Sequence, residues 1–289
     1  MEQLGGSLTF RALERELEIV SDSAGVLAFA DRVYRHARVA MPSGAPRDLA
    51  TVCEQGVTRG VTFNGERLPL EADEPYISPA HFSFRACNRV FRQSFARSTN
   101  WLSIYGAALR IGDRGIVFVS ASGYGKTTLC LNLLGHGARF YSDEFVFVRR
   151  SDRYVSGFPV RPLIREASLA RIANPRLTAL CEQLPPDLIA PERRSWSNID
   201  ITDAFGDDIL AEPAPLGALV ILSDEGPRDR LARIPASLGA IELALRVDSE
   251  RTGLQRVADV AEALGDVPAY RLQLGELDAA ARAILEAFA

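Results

Sequence analysis

The chain has 289 residues, of which 47% are hydrophobic, and its formal net charge is −4. It is long enough to bury one large core or two smaller ones, and its acidic balance argues against a sequence-independent nucleic-acid binder, which usually has a basic face. The four cysteines and three histidines show no metal-ligand spacing, which favours free thiols in a reducing compartment. The charged N-terminal residues and the lack of a long apolar run predict a cytoplasmic protein without membrane contact.

Residues 1–100 are predicted to form a small α+β domain. A strand is expected at 16–20, and apolar residues between Val26 and Tyr34 recur at helical spacing. Asn64-Gly65, flanked by short apolar segments, predicts a two-residue hairpin turn. Ser78-Pro79 then predicts a helix start with serine as cap. The apolar face of that helix is expected to pack against the next domain and comprises Phe84, Cys87, Val90, Phe91 and Phe95.

Residues 101–289 alternate between strand and helix patterns, which predicts an α/β domain with a largely parallel or mixed sheet. The apolar run 115–119 is typical of a strand buried on both faces, and a helix is expected to follow it at 126–134. A strand or strand pair is predicted at 139–148. The remaining expected elements are a strand at 217–222, a helix at 254–264, a strand at 270–274, a helix at 277–288 and an irregular surface excursion at 185–215.

A glycine-rich loop, S-A-S-G-Y-G-K-T-T, lies between the predicted strand and helix at residues 120–128. Such loops bind phosphates because backbone amides, freed by glycines, point inward where a helix begins. The following lysine reaches the terminal phosphates, and the next hydroxyl binds Mg²⁺. Ser120 stands where the usual pattern has its first glycine, but a small residue can make the turn if its φ stays negative. The pattern therefore predicts a nucleotide site.

Lys126 is the single lysine among 33 basic residues, and it lies inside this loop. Arginine can replace lysine at most surface positions. It is a poor substitute where a compact ammonium group must sit among phosphate oxygens. The position of the lone lysine therefore favours a functional loop over a chance string.

Two adjacent carboxylates, Asp143 and Glu144, interrupt the apolar segment that follows. Burying such a pair is unfavourable unless something compensates the charge. A magnesium ion or a reacting hydroxyl would do so, and a solvated strand end is the alternative interpretation.

The order S-G-Y-G-K-T (122–127), helix and S-D-E (142–144) resembles the catalytic domain of HPr kinase/phosphorylase. It resembles more closely the HPr-kinase-related proteins of peptide-modification and natural-product gene clusters. Segments 158–166, 211–222 and 267–278 are also similar to those relatives, so the resemblance covers residues 101–289. It implies an α/β P-loop kinase domain, related to HPr kinase and phosphoenolpyruvate carboxykinase, that uses ATP and Mg²⁺ to phosphorylate a serine hydroxyl.

The resemblance also implies roles for individual residues. Asp143 would accept the proton of the attacking hydroxyl, with Lys126 and Arg165 as further catalytic residues. Thr127 and Glu144 would hold the metal. Together with the loop pattern, the resemblance assigns nucleotide binding to Ser122, Gly123, Tyr124, Gly125, Lys126, Thr127 and Thr128.

Three points limit these assignments. Arg161 and Arg165 could each steady transition-state charge or be ordinary surface arginines. The family often has His-Gly before the loop, where this chain has Tyr105-Gly106, and a phenol does not carry protons at neutral pH. An E-I-R-G segment typical of the bifunctional enzymes is also absent. These departures argue against phosphorolysis and against HPr as the substrate.

The leading hypothesis is a Mg·ATP-dependent kinase that acts on a hydroxyl of a peptide, protein or small molecule. The alternatives are a non-catalytic nucleotide-binding switch or peptide-recognition module, and a simple ATPase. The resemblance leaves a homo-oligomer as an option, and no nucleic-acid partner is expected. Residues 195–198 and an acidic stretch after them are either acceptor-facing or, as the preferred interpretation, a solvated loop. That stretch includes Asp200, Asp203, Asp207 and Asp208.

Overall fold

The computed structural model describes residues 5–40, 43–54, 60–69, 79–172, 174–183, 196–247 and 252–289. Contacts divide these residues into two compact units, one ending at Ser98 and the other beginning at Thr99. Each unit has its own β-sheet and helices. None of the helices in these ranges is both long enough and apolar enough to span a bilayer.

The first unit contains a five-stranded sheet and two helices. The strands follow the order β1-β2-β3-β4-β5, and β2 and β3 are parallel whereas the other neighbours are antiparallel. The elements are β1 (Gly6–Ala12), β2 (Arg15–Ser21), α1 (Ala24–Val33), β3 (Arg47–Cys53), β4 (Gly60–Phe63), β5 (Glu66–Leu68) and α2 (Pro79–Ala96). The predicted strand at 16–20 and the first helix are confirmed.

The predicted hairpin turn is also confirmed. Asn64 and Gly65 join β4 to β5 and both have positive φ, 50° and 85°. Two consecutive left-handed residues give the twist that a two-residue hairpin needs. The predicted cap Ser78 lies outside the described residues.

The apolar face of α2 packs inside the first unit. The Phe91 ring lies 5.5 Å from that of Phe10 in β1 and 4.4 Å from that of Tyr34, measured between centroids. The expectation that this face covers the next domain is therefore wrong for Phe91. Helix α2 therefore helps to shield the sheet of its own unit from water.

A buried carboxylate connects four elements of the first unit. Asp48 in β3 is fully buried and accepts hydrogen bonds from Arg15 Nε and Nη2, both at 2.8 Å, and from Asn64 Nδ2 at 3.0 Å. Ser94 Oγ of α2 donates a further bond of 2.8 Å. Because every lone pair is used, the charge is tolerated without solvent.

The second unit is built on a nine-stranded sheet with the order β6-β10-β11-β14-β8-β7-β9. Strand β14 is parallel to β8 and to β16, and β15 pairs with β16. The strands are β6 (Trp101–Tyr105), β7 (Ala107–Ile111), β8 (Arg114–Ser120), β9 (Arg139–Ser142), β10 (Phe145–Arg149), β11 (Tyr154–Phe158), β14 (Ala214–Leu222), β15 (Ala232–Ile234) and β16 (Ala269–Leu272). A separate two-stranded sheet consists of β12 (Leu163–Arg165) and β13 (Trp196–Asn198).

Helices cover both faces of the large sheet, so that strand β8 is buried on two sides. Ile116 and Phe118 belong to a core that includes α3 and α9, while Val117 and Val119 belong to a second core with α7 and α8. This is the arrangement that the apolar run 115–119 predicts. The helices are α3 (Lys126–Gly135), α4 (Glu166–Ile172), α5 (Pro175–Glu182), α6 (Ile201–Phe205), α7 (Ala236–Ala244), α8 (Gly253–Leu264) and α9 (Leu277–Phe288).

The second unit is thus a mixed α/β structure, as predicted. The interpretation of 185–215 as an irregular excursion is wrong over part of its length, because β13, α6 and the start of β14 fall inside it. Residues 185–195 lie outside the described residues. Helix α6 forms in this aspartate-rich segment with Asp200 as its N-cap. The Asp200 side chain accepts a hydrogen bond of 3.0 Å from Thr202 N.

Candidate phosphate-binding site

The glycine-rich loop connects the carboxyl end of β8 to the first residue of α3. Gly123 and Gly125 have φ of 94° and 83°, a conformation that other residues rarely adopt. Gly125 is the N-cap of α3, and its carbonyl accepts the bond from Leu129 N at 2.9 Å. Ser120 ends β8 and has no positive φ, so serine is accommodated there without strain. The first backbone amides of α3 have no acceptor within the helix, so they are available to bind an anion held by the loop.

The first two side chains of α3 converge on one carboxylate. Lys126 Nζ donates to the carbonyl oxygen of Asp143 at 2.8 Å and to its Oδ1 at 2.9 Å. Thr127 Oγ1 donates to Asp143 Oδ2 at 2.6 Å. The sequence separates these residues by 16 or more positions, and the sheet brings them together because β9 is on the same side of β8 as β7.

The ion pair of Lys126 and Asp143 is largely shielded from water, with side-chain exposures of 15% and 10%. Burial lowers the pKa of Lys126, but attraction to Asp143 and the hydrogen bond to it outweigh burial, and the pKa lies above its ordinary value. The lysine is therefore a permanent cation at neutral pH. It stands where the loop amides also offer positive charge, which is the electrostatic requirement for binding phosphates.

A backbone bend presents Asp143 to the loop. Asp143 and Glu144 lie between β9 and β10, and Ser142 Oγ accepts bonds from Glu144 N at 3.3 Å and Phe145 N at 3.0 Å. The same hydroxyl donates to the Phe158 carbonyl at 2.8 Å and is fully buried. Ser142 therefore fixes the direction in which Asp143 leaves the strand.

A second bend faces the first one. Gly106, between β6 and β7, donates its amide to the Glu144 carbonyl at 3.2 Å. A Cβ atom at Gly106 would lie 2.8 Å from the carbonyl oxygen of Phe118 in β8. Glycine is required at this position because three backbone segments meet beside the loop.

Replacing Ser142 by alanine is expected to destabilise the protein by about 1–3 kcal/mol, because two backbone amides and the Phe158 carbonyl each lose a hydrogen bond with Ser142. Under the kinase hypothesis drawn from the sequence, transfer activity should fall as well, since the bend no longer holds Asp143. Urea unfolding and initial rates measure the two effects. Ser103→Ala is the matched control: Ser103 is buried too, and among the described residues its Oγ has no hydrogen-bond partner. Equal losses in the two variants would contradict the positioning role.

The other predicted site residues occupy different environments. Ser122 and Gly123 are exposed in the loop, while the Tyr124 ring packs against the α3–α9 core. Thr128 turns inward, and its Oγ1 donates to Ser168 Oγ in α4 at 2.9 Å. Any contact of Thr128 with a nucleotide would therefore come from its backbone.

The two candidate arginines differ. Arg161 Nη2 forms a salt bridge of 3.2 Å with Asp200 Oδ2, and both side chains are largely buried. Arg161 is thus a structural partner of the α6 cap. Arg165 is exposed at the end of β12, opposite Trp196 in the strand register, and its predicted catalytic role stays a prediction.

The acidic stretch after residue 198 is not uniformly solvated. Asp203, Asp207 and Asp208 are exposed, as the solvated-loop interpretation predicts, whereas Asp200 is buried. Its carboxylate is compensated by the Arg161 guanidinium and by the Thr202 amide and hydroxyl. The expectation of a solvated position is therefore wrong for Asp200, because a partner 39 positions earlier in the chain removes the penalty of burial.

Tyr105 lies at the edge of the site. It ends β6, the residue is 42% exposed, and it makes the smallest of the contributions that raise the pKa of Lys126. The preceding Ile104 belongs to the core on the α7–α8 side of the sheet. Because strand side chains alternate, Tyr105 stands on the α3 side, beside the loop.

Three residues near the site make contacts that the sequence patterns do not predict. Ser142 is part of the S-D-E string, and its capping geometry depends on the bend. Ser168 and Leu274 approach the loop from distant parts of the chain: a Cβ atom at Gly125 would lie 2.6 Å from Leu274 Cδ2. No local pattern marks such contacts, which arise only when the sheet assembles.

The described residues contain no group of three or more histidine, cysteine, aspartate or glutamate side chains arranged to hold a metal ion. An all-protein metal cage is therefore absent from that part of the chain. Mg²⁺ in phosphate sites needs only one or two protein oxygens, since water and phosphate complete its shell.

No protein-family model matches the sequence, and no curated protein matches it either. Among the solved structures, the chain is similar to the HPr(Ser) kinase/phosphatase from Coxiella burnetii. The similarity covers 64% of this chain and 89% of that one, with 12% identity and a TM-score of 0.37. The two are distant in both sequence and fold.

Proposed function

We propose that the protein is a Mg²⁺- and ATP-dependent phosphotransferase that moves the γ-phosphoryl group to a hydroxyl of a peptide, protein or small molecule. One observation carries this proposal: Lys126 and Thr127, at the start of α3, both bind the carboxylate of Asp143. A glycine-rich loop, a cation, a hydroxyl and an acid group thus meet at one point, and these are the groups that phosphoryl transfer requires.

The loop amides and Lys126 would hold the phosphates. Lys126 would exchange its bonds with Asp143 for bonds with the terminal phosphates. Both partners are anionic, so the positive charge of the ammonium group stays neutralised. Asp143 Oδ1 is then available to accept the proton of the attacking hydroxyl. The reaction depends mainly on positioning and charge neutralisation, so a single nearby carboxylate suffices as base.

The donor set fits a magnesium ion. Thr127 Oγ1 and Asp143 Oδ2 lie 2.6 Å apart, and both are oxygen donors of the kind that Mg²⁺ prefers. Thr127 would hold the ion, with Glu144, the next residue after Asp143, as the second acid. Bound Mg²⁺ neutralises the charge that develops on the phosphates. Arg165 remains a candidate for steadying that charge.

Tyr105 favours a second candidate, a nucleotide-binding module without transfer activity. It stands beside Lys126 where a proton-carrying histidine would serve catalysis, and a phenol of ordinary pKa near 10 does not replace one at neutral pH. Under this alternative the protein binds Mg·ATP but forms neither a phosphorylated acceptor nor ADP.

Two measurements on the full chain test the proposal. Isothermal titration calorimetry should show saturable binding of Mg·ATP that weakens when EDTA removes the metal. Incubation with γ-labelled ATP and a degenerate library of serine-containing peptides should then transfer label to peptide faster than it releases phosphate. Phosphate release alone would indicate an ATPase, and binding alone the switch. Absence of Mg·ATP binding would refute all three forms of the proposal.

A further inference from the structure

Three parallel strands of the second unit end at the same level. In the strand register, Ser120 of β8 lies opposite Leu222 of β14, which lies opposite Leu272 of β16. The segments that follow, the loop after Ser120, the turn after Leu222 and residues 273–276, therefore leave the sheet side by side. Ligands of α/β sheets bind outside the carboxyl ends of such strands.

The sheet order gives a bound nucleotide a direction. Asp143 follows β9, which lies on one side of β8, whereas β14 and β16 lie on the other side. If the terminal phosphate meets Lys126 and Asp143, the rest of the molecule extends from the loop towards β14 and β16. The nucleoside then lies over the segment that follows β16.

That segment is held firmly from two sides. The Asp229 carboxylate accepts the Gly275 amide at 2.6 Å and the Glu276 amide at 2.9 Å, and the Asp229 amide donates to the Gln273 carbonyl at 2.9 Å. From α4, Arg171 Nη2 donates to the Gly275 carbonyl at 3.0 Å. The hydrogen bonds fix the backbone on both sides of Leu274.

Leu274 is directed at the phosphate loop. Its Cδ2 atom lies 2.6 Å from the position of a Cβ atom on Gly125, the residue immediately before Lys126. The side chain is only partly buried, although it touches the α3–α9 core. An apolar surface thus lies beside the phosphate site, on the side where the sheet order directs the nucleoside.

We propose that Leu274 forms the apolar wall against which the nucleoside of a bound nucleoside triphosphate packs, an inference that rests on the proposed function. A nucleobase or ribose presents apolar faces that a leucine side chain shields from water. Asp229 and Arg171 are positioning residues, since they hold the segment that carries the wall.

The test compares two ligands that share a phosphate chain. Calorimetry measures Mg·ATP and Mg·tripolyphosphate binding to the wild-type chain and to Leu274→Ala. Loss of the apolar contact should weaken ATP binding about tenfold, while tripolyphosphate binding stays within about twofold. Leu274→Met conserves volume and should retain most of the ATP affinity. Leu285→Ala, a partly buried leucine of α9 on the same core, should leave both affinities unchanged.

The alternatives give different patterns. If Leu274 only braces Gly125, Leu274→Ala weakens ATP and tripolyphosphate equally, and the inference is overturned. Unchanged binding of both ligands to Leu274→Ala also overturns it, because the nucleoside then lies elsewhere. A wild-type chain that binds neither ligand refutes the proposed function itself. Circular dichroism of each variant verifies that these differences arise in a folded protein.

Discussion

Replacing Lys126 by methionine is expected to lower the rate of phosphoryl transfer roughly 10²–10³-fold, the usual loss when one preorganised charge at a reacting oxygen is removed. Methionine keeps the length of the side chain without its ammonium group, so the loop keeps its amides but no cation bridges the terminal phosphates. Lys126→Arg should be nearly as poor, because a planar guanidinium does not fit a site shaped for a point charge. Single-turnover transfer and Mg·ATP calorimetry measure the two effects.

The matched control is Arg139→Met, which removes an exposed cation at the start of β9. It should leave transfer and binding unchanged. Melting curves are needed for Lys126→Met, since Asp143 then keeps only Thr127 as a side-chain partner among the contacts described above. Wild-type transfer by a folded Lys126→Met protein would show that the loop is not a phosphate site.

Asp143→Asn is expected to reduce transfer roughly 10²–10⁴-fold, the range for loss of a general base, while Mg·ATP affinity changes only a few-fold. Asparagine occupies the same volume, and its amide oxygen still accepts the Thr127 hydrogen bond. It has no charge and cannot take the proton of the attacking hydroxyl. The loss should therefore appear in kcat rather than in the nucleotide KM, measured by steady-state transfer.

Asp152→Asn gives the comparison for this second prediction. Asp152 is an exposed carboxylate that pairs with Arg149 in the turn between β10 and β11, at the other end of β10 from Asp143. The variant should transfer phosphate at the wild-type rate. If Asp143→Asn retains full kcat, the assignment of Asp143 as base fails, even if the nucleotide binds normally.

Local patterns were sufficient to predict the elements that carry the site. The apolar run of β8, the glycines of the loop and the helix after Lys126 are each short-range features, and the structure has them where the sequence predicts them. The meeting of Asp143 with Lys126 is different. It depends on β9 returning to the side of β7. The carboxylate pair in an apolar segment marked Asp143 as a candidate acid group, and the resemblance to a family added its role, but neither gave its contact with Lys126.

Long-range compensation explains what the sequence could not predict. Strand β3 contains Asp48 next to Arg47 near its start. A buried carboxylate argues against a strand until Arg15 and Ser94 are known to reach it. Asp200 presents the same difficulty, because its partner Arg161 lies in another segment. A charged residue that the neighbouring sequence suggests is solvated is buried when a residue from a distant part of the chain neutralises its charge.

The lone lysine has a practical consequence for spectroscopy. Feeding ¹⁵N-lysine to the expressing cells would label one backbone amide in the whole chain, the one that opens α3. That single resonance would report occupancy of the loop without assignment of any other signal. Because every other Lys or Arg position of this chain is arginine, lysine labelling reports on the candidate site alone.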